Sequence, residues 1–268
     1  MEVGLQNKIE SIQILRFFAA FSVMLVHIPL FEFGIWGVDI FFVISGFIMM
    51  YVTENNENNF FIKRVIRIVP LYWILTLGVF TIALLKPQFL NNTTANFEHL
   101  IKSLLFIPFD KNGIGHYPIL FLGWTLNFEV IFYLLFGVSL FFFKKYKFIV
   151  CTSLIILFYF FCTIFSKKHF VLQAYSNPMF FEFIFGMIAF IVWKKYKEKI
   201  KKSLLNNFIF IFLILSTAVF FYYLNSLTYP DAYPTFLAYG IPSFFLILFF
   251  VIFLNKIKFP KIFTLLGD

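Results

Sequence analysis

Gly37-Val38-Asp39-Ile40-Phe41-Phe42-Val43-Ile44-Ser45-Gly46-Phe47-Ile48-Met49-Met50-Tyr51-Val52-Thr53 carries one charged side chain in seventeen residues, and that charge stands at its start. A stretch so long and apolar has no polar face to turn to water. It reads as a helix in hydrocarbon, whose core of about 30 Å takes about 20 apolar residues to cross. The same character recurs on both sides. Apolar runs at Ile12–Phe31, Gly34–Thr53, Ile68–Leu85, Tyr117–Phe143, Phe148–Ser166, Pro178–Trp193, Asn207–Asn225 and Thr235–Leu254 predict an all-α polytopic transmembrane bundle of about eight spans. His99–Pro108 is too short to cross and is expected to lie at the interface or to re-enter.

Composition agrees. The chain is 61% hydrophobic, 24% aromatic and 13% charged, whereas soluble domains are about 25% charged. This excludes a soluble enzyme. The net charge of +9 would suggest nucleic acid in a soluble protein, but the placement of the basic residues explains it better. With the N-terminus in the cytoplasm, 17 of the 22 lysines and arginines fall on the inner side: Lys8, Arg16, the Lys63–Arg67 group, the Lys144–Lys147 group, the six lysines of Lys194–Lys202, and three from Lys256 to Lys261. That bias follows the positive-inside rule and orients a multi-pass protein in the bacterial inner membrane. The lipid bilayer is thus an expected partner and nucleic acid is not.

Nothing in the sequence marks a second domain, so residues 1–268 are expected to form one membrane domain. The first run contains Arg16 and His27 and lacks a small-residue cleavage pattern, so it reads as a helix rather than a signal peptide. Cys151 and Cys162 lie eleven residues apart in one span, where they read as packing residues and imply neither a disulfide nor a metal. Asn92-Thr93-Thr94 matches a glycosylation acceptor but sits in an asparagine-rich loop where chance explains it. After Lys261 the chain turns apolar again and stops at Gly267-Asp268, as though at the threshold of another element.

An ionisable side chain in mid-bilayer costs about 2.5–3.5 kcal/mol on insertion scales and marks a functional candidate. The spans hold Arg16, His27, Asp39, Glu129 and Glu182. Arg16 and His27 are eleven residues apart and share a helical face, about 16 Å apart along the axis. Arg16 either snorkels to the inner headgroups or works with His27, and His27 is either a packing residue or a general base. If the turn between the first two spans centres near Phe33, His27 and Asp39 lie at similar depth, where a carboxylate would orient the imidazole. Asp39 alternatively compensates a helix N-terminus. Arg64 and Arg67 share a face at the inner start of the third span, where they serve as inner-face anchors or as a phosphate clamp that Arg16 could close. Glu129 needs a partner from another helix, while Glu182, near a helix start, reads as structural.

In this order the residues form a recognisable series: Leu15-Arg16 and His27; Gly37 through Phe47; Arg64-x-x-Arg67-Ile68-Val69-Pro70-Leu71-Tyr72-Trp73; Trp124-Thr125-Leu126-x-x-Glu129-x-x-Phe132-Tyr133; and Phe181-Glu182-Phe183-x-Phe185-Gly186-Met187. The chain resembles the acyltransferase-3 family of bacterial membrane O-acyltransferases over essentially its whole length. The resemblance implies transfer of an acyl group, usually acetyl, from acyl-CoA to a hydroxyl of a cell-envelope or exported glycan such as lipopolysaccharide, capsule or exopolysaccharide. Acetyl-CoA would be a co-substrate, with no bound cofactor and no metal. By position, the resemblance implies catalytic roles for His27 and Glu129, with Asp39 added from the depth argument, and acyl-CoA binding by Arg16, Arg64 and Arg67. The pantetheine arm would then reach along the first helix toward His27. The family has about ten spans, its closing helix opening with a Gly-Asp-like dipeptide, so the last two helices are expected to be missing here. A transporter or flippase with a path lined by His27, Asp39 and Glu129, or an inactive truncated remnant, are the rival readings.

Overall fold

The computed structural model describes residues 9–28, 36–54, 57–90, 93–110, 115, 117–196, 236–252, 254, 260, 262 and 266–267. The expected span Asn207–Asn225, Asn92 and the lysine-rich stretch after Tyr196 lie outside them. Nine α-helices are described: α1 (Glu10–Val26), α2 (Gly37–Val52), α3 (Phe60–Leu85), α4 (Phe97–Leu104), α5 (Trp124–Phe142), α6 (Lys147–Phe165), α7 (Phe170–Tyr175), α8 (Phe180–Tyr196) and α9 (Ile241–Ile252). A single π-helical turn, Phe236–Gly240, leads into α9. There is no strand among the described residues, as an all-α membrane bundle requires. Phe60–Leu85, Phe121–Phe142, Lys144–Phe165 and Phe170–Tyr196 are long and apolar enough to cross a bilayer, while Gly37–Val52 and Phe236–Ile252 are shorter apolar segments.

Two helix boundaries depart from the hydropathy. α3 starts at Phe60, eight residues before its apolar run, so Lys63, Arg64 and Arg67 are helical and their spacing holds. α5 starts at Trp124 rather than Tyr117, after a 3₁₀ turn at Phe121–Gly123. Gly123 backs onto the ring of Tyr72, a fit that a Cβ would block.

The described structure divides into two compact units, residues 1–56 with 178–268 and residues 57–177. In the first, α2 and α8 run side by side in the same direction. Phe42 meets Phe183 with ring centroids 4.8 Å apart, and further along Phe47 meets Trp193 at 5.7 Å. Lys194 then pairs with Glu54 at the far end. Gly46 and Gly186 make the approach possible: a Cβ on Gly46 would fall on the carbonyl oxygen of Phe183, and one on Gly186 on that of Val43. Small residues of this kind let helices meet backbone to backbone where lipid supplies no hydrophobic drive. Phe47, Phe183 and Met187 fill the seam.

In the second unit α3 and α6 are apolar on nearly all sides, yet most of that surface is outside the protein core. Ile66 is 66% exposed and Ile164 71% exposed. Exposed apolar faces of that extent belong against lipid tails, not water. Glu57, just before α3, pairs with Lys144 at 2.9 Å and Lys147 at 3.8 Å, joining two loops that the charge distribution puts on the same side.

The short segment expected to lie at the interface or to re-enter overlaps α4. Asn96 caps it, its side chain accepting from the His99 amide at 3.1 Å, with Glu98 in the first turn and Lys102 in the last. Its far end is tied to the middle of α3. The Tyr72 hydroxyl donates to the Ser103 carbonyl and the Trp73 indole to the Leu104 carbonyl, both at 3.0 Å, while Ser103 Oγ accepts from the Ile119 amide.

Candidate functional site

In the first unit, Arg16 donates to the Gln13 side chain at 3.0 Å on α1. Gly267 packs directly on the Gln13 backbone, where a Cβ would collide with its carbonyl. The glycine of the terminal Gly-Asp pair therefore rests one turn from Arg16. His27 caps α1 and is exposed. Its Nδ1 lies 2.7 Å from the carbonyl oxygen of Val23. A carbonyl only accepts, so Nδ1 carries the proton, and Nε2 of the neutral ring keeps its lone pair.

Asp39 does not supply that hydrogen bond. The depth argument places Gly37 opposite residue 29 of the first run, but a Cβ on Gly37 would strike Ala19 and Ser22 of α1. The register therefore differs from that reading by roughly two helical turns. Asp39 instead faces Glu182, the residue that sequence reasoning assigned a structural role. Asp39 is 2% exposed and Glu182 0%. A sequence signal existed: each is an acid in the first turn of its helix.

In the second unit, Tyr133 donates its hydroxyl to Glu129 one turn earlier on α5. The guanidinium of Arg64 lies 5.9 Å from the centre of the Tyr133 ring, a cation–π contact, and Tyr133 also feels the charge of Arg67. Glu129, Arg64 and Arg67 are thus gathered around one buried ring. The buried Nε of Arg64 has no hydrogen-bond partner among the described residues. The sequence signal for Tyr133 is its four-residue spacing from Glu129, which puts both on one helical face. Beside a buried guanidinium with an unused donor, an anionic group such as a phosphate would find a bidentate partner. The cysteines are buried and free, as packing residues would be.

A family model described as an acyltransferase domain matches residues 9–268. The exopolysaccharide production protein ExoZ of Rhizobium meliloti (strain 1021) is 37% identical over 169 residues, which cover 62% of this chain and 53% of that protein. The chain therefore spans about half the length of that curated relative. No solved structure matches.

Proposed function

This chain belongs to the acyltransferase-3 family, and from that membership we propose that it moves an acyl group, acetyl in the simplest case, from acyl-CoA to a hydroxyl of an exported glycan. Similarity to the exopolysaccharide production protein ExoZ favours an exopolysaccharide as acceptor over lipopolysaccharide or capsule. The positive-inside bias supports a multi-pass location in the inner membrane with the N-terminus in the cytoplasm, where acyl-CoA is made.

The observation that carries the chemistry is the His27–Val23 hydrogen bond, which occupies Nδ1 and makes Nε2 of an exposed imidazole the nitrogen that can act as a base in the neutral tautomer. In the proposed step Nε2 takes the proton from the acceptor hydroxyl, whose oxygen attacks the thioester carbonyl. The new carbon–oxygen bond forms, the carbon–sulfur bond breaks, and the proton passes to the departing thiolate. A positioned base of this kind contributes typically 10²–10⁴ in rate. In the second unit, Arg64 and Arg67 would hold phosphates of the donor. Glu129 would position Arg64 through Tyr133 rather than touch the reacting atoms.

CoA binding tests the reading. Calorimetric titration of CoA into the purified chain is expected to give saturable binding that weakens at least tenfold in Arg64→Ala. A folded protein that takes up no CoA would contradict it and would favour a transporter.

A further inference from the structure

Asp39 and Glu182 stand in the first turns of two parallel, adjacent helices, α2 and α8, at the same end of the seam. Both are more than nine-tenths buried. Oδ1 of Asp39 and both carboxylate oxygens of Glu182 have no hydrogen-bond partner among the described residues. Behind Glu182 the π-helical turn brings up Gly240, whose absent Cβ would stand 2.9 Å from Cγ of Glu182, so bare backbone packs on the side chain. Ser243, three residues on and on the same face, is fully buried with its own hydroxyl unpartnered among the described residues. π-Turns inside helices recur at functional sites.

The charge of this arrangement has a simple balance. Each helix N-terminus is worth about half a positive charge, so two together offset about one carboxylate. Two carboxylates are present. Among the described residues no lysine or arginine is seen to face them: α9 has no titratable residue, Arg16 of α1 donates to Gln13, and His27 is bonded to the Val23 carbonyl. Tyr239, in the π-turn, lies within reach of the charge of Asp39 and supplies no cation. A metal would need a larger donor set, and no group of three or more His, Cys, Asp or Glu is present among the described residues. A proton needs no volume and turns two repelling acceptors into a donor and an acceptor.

We propose that Asp39 and Glu182 form a proton-binding site in the core of the first unit, holding one proton between them at neutral pH. The site is independent of the acyltransferase reading. With the proton in place the two helix starts close on one another; its loss would leave two like charges facing across the α2–α8 seam.

Infrared difference spectroscopy of the full chain in lipid tests this. The wild type is expected to show, at neutral pH, a carboxylic-acid carbonyl band that shifts in heavy water and is absent from both Glu182→Gln and Asp39→Asn. The amide in each variant supplies the donor that the proton supplied, and the remaining carboxylate is matched by the helix ends. A wild-type spectrum without the band overturns the proposal, as does a band that survives in either variant. Thermal stability that rises with sodium or potassium in a wild type lacking the band would assign the site to a metal cation and overturn it as well.

Discussion

Nδ1 of His27 lies 2.7 Å from the carbonyl oxygen of Val23, one turn earlier on the same helix. The imidazole is thus oriented by the backbone of α1 and needs no carboxylate to fix its tautomer. Asp39→Asn should therefore leave the orientation of His27 unchanged. Acyl transfer by Asp39→Asn is expected within about tenfold of wild type, against a loss of 10² or more in His27→Gln. Initial rates in membranes of matched protein content compare the two.

Tyr133 links Glu129 to the arginine pair. Tyr133→Phe keeps the ring under Arg64 and removes the hydroxyl that Glu129 accepts from. Leaving a partly buried carboxylate short of one donor costs about 1–3 kcal/mol. The variant should fold and raise the KM for acyl-CoA while kcat changes less. Arg64→Lys should raise KM further, because an ammonium lacks the planar fork of the guanidinium.

Gly46 and Gly186 set how closely α2 and α8 approach. Gly46→Ala or Gly186→Ala would push a methyl into a backbone carbonyl and cost about 1–3 kcal/mol or more. Gly78 of α3 has nothing within 4 Å of its missing Cβ, so Gly78→Ala should be neutral or stabilising by about 0.5–1 kcal/mol. Thermal unfolding in detergent separates the two cases, and equal effects at all three glycines would contradict the packing described.

The fold was legible wherever hydropathy decided it. Seven of the eight apolar runs coincide with described helices, and the short segment His99–Pro108 overlaps α4, tied to mid-α3 through Tyr72 and Trp73. The six-residue α7 escaped because a helix that short has no periodic stripe to read. At the candidate site, the i, i+3 spacing of Arg64 and Arg67 survived because α3 begins early enough to make it helical. The partner of Asp39 was not legible. Symmetry about Phe33 assumed a tight turn, whereas the actual register rests on Gly37 meeting Ala19 and Ser22, a contact that sequence spacing does not encode. Glu182 is 143 positions from Asp39, and a helix pair that distant in the chain leaves no local signal.

Ser103 holds the α4 segment twice, through its carbonyl to Tyr72 and through Oγ to the Ile119 amide. Ser103→Ala strands that buried amide, and Tyr72→Phe frees the carbonyl, each costing about 1–3 kcal/mol. Both variants should be cleaved faster by protease added on the outer side, within residues 90–117, than wild type.

The most direct test of the central claim is transfer from labelled acetyl-CoA to envelope or exported glycan by membranes carrying the wild-type chain or His27→Ala, with insertion of both verified. The account predicts labelled glycan from the wild type and a fall of at least 10² in the variant. Equal labelling by the two would contradict the role of His27, and no labelling by an inserted, CoA-binding wild type across a panel of glycan acceptors would contradict acyl transfer by this chain.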